Sequence, residues 1–222
     1  GTLLVSGDTN VGASAISITK GTLEIGNGGT LTAGAVSRNG SGSGNVKINA
    51  GGTLNAATFN NSYASSTFLV DGTLNLTTSL TMAIGTNRTI TGTGTINTKV
   101  YNNNKGAHIT FDALRMNLGS GGISGDGGTF TFNGTTLGAS DNWSSARSFA
   151  LSDASTVIIN TLDSVDGSTA RNITLSGTIS DENPGGLGGL KKEGAGTLAP
   201  GGANTYTGAT TVNGGVLSVA TL

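Results

Sequence analysis

Gly52-Thr53-Leu54-Asn55-Ala56 and Gly72-Thr73-Leu74-Asn75-Leu76 are near copies, 20 residues apart. The same phrase, a Gly, then Thr or Val, then a large apolar residue, also opens at Gly1, Gly21, Gly29, Gly94, Gly128, Gly177, Gly196 and Gly215. From Gly72 to Gly94 the interval is 22 residues, and the steps from Gly177 to Gly196 and on to Gly215 are 19. One short strand and a turn, repeated at this interval, is the pattern of a solenoid. A rung of three short strands and three turns takes about 20 residues, and successive rungs pair in parallel ~4.8 Å apart. The chain is therefore read as all-β, a parallel β-helix of about 20 residues per rung, in one domain over residues 1–222.

Around the phrases the apolar residues alternate. Leu3/Val5, Leu23/Ile25, Val46/Ile48, Phe68/Val70, Phe130/Phe132, Ile173/Leu175 and Leu217/Val219 each skip one residue. Period two means strands with one buried face, and no segment shows a helical period. A β-sandwich also uses short strands, but it has no reason to repeat one tripeptide at one interval. Thr after the phrase Gly suits a β-branched column up the stack. Asn55, Asn75 and Asn97 occupy the same place in three successive phrases, where stacked amides bond from rung to rung.

Composition narrows the class. Hydrophobic residues make up 35% and charged residues 10%, both low for a globular enzyme. There are 39 Gly but only 2 Pro and no Gly-X-Y period, which excludes collagen. The regular Val, Ile and Leu pairs and a net charge of −1 argue against disorder and leave no electrostatic footprint for nucleic acid. No window reaches the ~18 apolar residues of a membrane helix. The absence of Cys suits a chain that crosses a secretion channel unfolded. Gly1 stands in mid-phrase without a start Met, so a processed or excised piece of a longer array is expected. Longer projecting loops are expected over 100–150, where the phrase thins out, and a loose turn over Ser37–Asn45.

Residues 185–219 read GGLGGLKKEGAGTLAPGGANTYTGATTVNGGVLSV. Gly189, Leu190, Lys192, Gly194, Gly196, Thr197 and Leu198, then Asn204, Thr205, Tyr206, Gly208, Thr210, Val212, Gly215 and Leu217, fall on one pattern. This block, with the preceding strand from about 171, closely resembles the autotransporter-associated β-strand repeat, or passenger-associated transport repeat. Ala199-Pro200-Gly201 departs from it, and a strand ending or bending at Pro200 is expected. The resemblance implies a right-handed β-helix, secreted or attached to the outer surface of a Gram-negative-type bacterium.

Chemistry is harder to find. Asp153, Asp163, Asp166, Asp181 and Glu182 form the richest acidic region, and a glycoside hydrolase or lyase needs two such carboxylates across one cleft. Asp in solvated turns is the blander account. The single His108 has no Cys partner for a metal, no calcium nonapeptide occurs, and GxSxG is absent. No catalytic residue, metal or cofactor is assigned. Tyr63, Tyr101, Tyr206 and Trp143 are the aromatics with a polar handle. Trp143, with Asp141, Asn142 and Arg147, is the candidate ligand site, against a Trp that simply covers a rung.

The expected function is a structural stalk, spacer or fibre segment on a bacterial surface. Leu3, Val5, Leu217 and Val219 are expected to stack end to end on another copy or on further repeats. An adhesin module, binding a host or matrix glycan or protein through the 100–150 loops, is the alternative. A polysaccharide-active enzyme ranks third.

Overall fold

In the computed structural model, which describes residues 1–39, 44–62, 67–82, 87–104, 106 and 108–219, the chain is a parallel β-solenoid of about 10 turns, with successive turns about 21 residues apart. Among the described residues there is no helix, and hence none long and apolar enough to cross a membrane. The strands form a nine-stranded, a twelve-stranded and a four-stranded sheet. Among the described residues the named strands all pair in parallel, as expected when each pairs with its counterpart one rung away.

A middle rung shows how the sequence makes this shape. Thr73–Met82 pairs with Thr53–Asn61 below and Thr95–Asn103 above. Its register shifts between Leu76 and Ser79, so two straight arms meet at a bend. The first arm aligns Thr30, Thr53, Thr73 and Thr95 in one column, the stacked Thr positions the phrase predicts. Each rung adds a third strand, such as Phe68–Val70, to the nine-stranded sheet. Later rungs carry the second arm in the separate four-stranded sheet of Trp143–Ser145, Ile173–Leu175, Thr197–Pro200 and Val216–Leu217.

The phrase glycines sit where backbones approach closely. A Cβ on Gly72 would collide with the carbonyl of Gly52, and one on Gly94 with the carbonyl of Gly72. The following Leu points inward. Leu31, Leu54, Leu74, Ile96, Met116, Leu137 and Ile159 stack in one column, all buried. Two further columns carry the rings, Phe111 on Phe132 at 5.4 Å in one and Phe130 on Phe149 at 6.1 Å in the other.

The 100–150 stretch corrects one expectation. Strands Thr95–Asn103, His108–Asp112, Arg115–Ser124, Thr129–Asn133, Thr136–Ala139, Trp143–Ser145 and Phe149–Leu151 nearly fill it. Among its described connections, those at Gly125, Gly128 and Gly134 are short turns, where these glycines adopt the left-handed backbone that tight corners need. The longer excursion lies further on, between Asp163 and Ile173. Pro200 is the last residue of its strand, as its missing N–H demands. Of the Ser37–Asn45 turn, residues 40–43 lie outside the described residues; Ser37 and Arg38 end one strand and Gly44 opens the next.

Candidate functional site

The residues singled out around Trp143 come together, but as fasteners. The Trp143 indole is 3% exposed and donates its N–H to the Gly138 carbonyl at 3.2 Å. A ring so buried offers no face to a sugar. The Arg147 guanidinium donates to the carbonyls of Gly125, Gly127 and Gly128 at 2.7, 2.6 and 2.6 Å, and lies over the Phe130 ring. It thereby holds the turn one rung below. Asn142 Oδ1 accepts the Asn172 N–H at 2.7 Å. Asp141 faces Arg171 at 3.7 Å.

The acidic residues divide into two groups. Asp163 and Asp166 organise the excursion after Thr156–Asp163. Asp163 accepts from the Val165 N–H at 2.7 Å, the Asp166 N–H at 3.3 Å and the Arg171 guanidinium. Burial opposes ionisation of Asp163, but these donors outweigh it and hold the carboxyl below the usual carboxylate range. Hydrogen bonds from Thr169 and Ser168 pull Asp166 further down. Val165, at the tip, is 85% exposed.

Asp153, Asp181 and Glu182 gather at another corner. Asp153 accepts from the Asn183 side chain at 2.7 Å, and Glu182 from the Ser152 hydroxyl at 3.0 Å. Asp181 accepts the Gly188 N–H at 3.0 Å and the Thr207 hydroxyl at 2.6 Å. Asp181 and Glu182 share a depression of about 320 Å³ with His108. The His108 ring bonds Thr129 and Thr131 at 2.6 and 2.9 Å. Among the described residues, no three His, Cys, Asp or Glu side chains group to hold a metal.

Of the other aromatics, Tyr63 lies outside the described residues. Tyr101 is fully buried in the ring cluster, and burial pushes its hydroxyl pKa far up. The Tyr206 hydroxyl meets Thr210 at 2.7 Å. At the ends, Leu3 is 57% and Val219 43% exposed, Val5 is buried and Leu217 partly buried.

The least expected residue is Lys192. It continues the inward Leu column, pairing with Ile159 below and Val212 above, and is fully buried. Its three ammonium N–H groups are shared among four oxygens, Thr161 Oγ1 at 2.7 Å and the carbonyls of Glu193, Gly194 and Gly214 at 2.9, 2.7 and 3.0 Å. Thr161 in turn donates to the Glu193 carbonyl at 3.0 Å. One buried charge thus joins three rungs, and burial lowers its pKa. The sequence held a signal for this: Lys192 has the same parity as the inward Leu190.

Taken together, the fold and its polar contacts define a structural solenoid, with side chains that bond rung to rung. The description that fits more narrowly comes from its C-terminal rungs, where residues 190–219 match the family model Passenger-associated-transport-repeat. The chain therefore carries a repeat of autotransporter passengers on a β-solenoid of the corresponding kind. No curated protein and no solved structure matches it.

Proposed function

We infer that the chain is a structural stalk or spacer segment of a secreted or surface-displayed bacterial protein, without enzymatic chemistry. The observation that carries this reading is the transport repeat built into the last rungs of the solenoid. In support, the candidate acids accept hydrogen bonds from turns and loops of the fold. The test places the chain between a secretion signal and an outer-membrane translocator barrel in a Gram-negative host. A folded, protease-resistant segment at the cell surface is expected; retention inside or degradation overturns the reading.

The same reading includes self-association. Among the described residues, the strand Thr2–Val5 pairs on one side only, with Gly21–Ile25, and Val216–Leu217 only with Thr197–Pro200. Leu3 and Val216 are both exposed there. Open ladder edges with apolar side chains accept another rung. Sedimentation should show elongation as concentration rises. Leu3→Lys with Leu217→Lys should leave short single rods, and wild-type chains that never elongate refute the stacking.

A further inference from the structure

One inward column of the solenoid carries a cation among neutral side chains. Ile18, Arg38, Asn61, Met82 and Asn103 stack in register at the end of the second arm. Arg38 is 0% exposed, in a place that the rung below fills with the apolar Ile18. Its Nη1 donates to Asn61 Oδ1 at 3.1 Å. Among the described residues, its Nε and Nη2 are buried with no hydrogen-bond partner. These two N–H groups lie on one edge of the planar guanidinium and point the same way, as a fork that grips an anion.

The charge at this edge is of one sign. All 12 Asp and Glu are described, and their ion pairs there go to Arg171 and Lys191, so no carboxylate answers Arg38. A second guanidinium stands near instead, that of Arg88, 7% exposed at the start of the strand Arg88–Thr91. Burial, and then the Arg88 charge, lower the Arg38 pKa to about 10, so Arg38 stays a cation at neutral pH. A cation taken out of water is costly unless opposite charge or hydrogen bonds meet it. Lys192, buried in the same way, is met by Thr161 and three carbonyls, whereas Arg38 is met by one amide oxygen.

We propose that the Nε–Nη2 edge of Arg38 binds a small monovalent anion of the size of chloride inside the solenoid, with Arg88 adding to the field that holds it. One such ion accepts both N–H groups of the fork at once. It also replaces the repulsion between two guanidinium groups by two attractions. An edge without solvent exposure suits an ion that sheds its water cheaply, which favours chloride over sulfate or phosphate. The anion would act as a structural ligand, fastening the rungs of Arg38 and Arg88 to one another as the Lys192 ammonium fastens those near the other end. This goes beyond the structural role and does not depend on surface display.

Thermal melting at constant ionic strength, with chloride replacing the bulky gluconate, tests this. A ligand that binds only the folded chain stabilises it by mass action, so the melting temperature should climb by about 3 °C or more with rising chloride. Arg38→Met, which restores an apolar residue like the Ile18 below, should fold and melt at a temperature independent of chloride. Crystals of the wild-type chain grown in bromide should show an anomalous peak at the Nε–Nη2 edge of Arg38, and this result decides where the variant does not fold. A wild-type melting temperature indifferent to chloride overturns the proposal. So does a chloride response that persists in Arg38→Met, or a bromide crystal without a peak at that edge.

Discussion

The rung of Thr73–Met82 and the rung of Gly189–Glu193 place different chemistry at one position in the stack. In the first, Leu74 fills the inward column and Asn75 carries the ladder on the outside. In the second, the same column holds Lys192, whose ammonium is satisfied by turn carbonyls and Thr161. At Lys192 the inward charge is held by oxygens that the neighbouring turns aim at it. An ordinary buried ion would cost several kcal/mol.

The largest effect should come from placing a charge where no oxygens wait. Leu74→Asp should cost about 4 kcal/mol or more, read as the shift in a denaturant unfolding curve. A variant as stable as wild type would show that Leu74 faces solvent. Next, Lys192→Met removes the charge but leaves the Gly194 and Gly214 carbonyls without it, at about 3 kcal/mol. Hydrogen exchange should rise across 189–217 and stay unchanged at 53–82; a uniform change would contradict the local account.

Smaller effects grade the ladder itself. Asn75→Ala loses two amide bonds and should cost about 1–2 kcal/mol. Asn117→Ala should cost about half of that, because Asn117 Oδ1 has no partner beneath Gly138. Equal losses at both sites would mean that the ladder bonds do not carry the stability. The smallest effect is acidic. Asp163 titrates lower folded than unfolded, so its contribution is present above about pH 4 and fades as pH falls below that. At about 1 kcal/mol or less, it should appear as faster exchange at Val165 and Asp166, with the core columns unmoved.

Strand alternation, rung length and the amide ladder were legible because each rests on a period that the backbone imposes. Asn55, Asn75 and Asn97 read directly as a column, and the structure adds Thr32 below and Asn117 above. The burial of Trp143 was not legible. Its neighbours Asp141 and Asn142 read as a polar loop, whereas Trp143 pairs with Ile173 in a strand that buries alternate residues. The projecting loop was placed too early for a related reason: missing phrases marked altered strands, not missing ones. The bend between Leu76 and Ser79 was invisible, because no periodicity reports an angle.

The ammonium of Lys192 has a mechanical consequence. A solenoid drawn out from one end sheds its rungs in sequence, because each is held only by the next. Lys192 bridges Thr161, its own turn and Gly214, so peeling that starts at the C-terminal edge meets a knot spanning three layers at once. Force should rise there before it falls, and a chain drawn from that side should stall at the lysine while the plainer Leu rungs beneath remain wound.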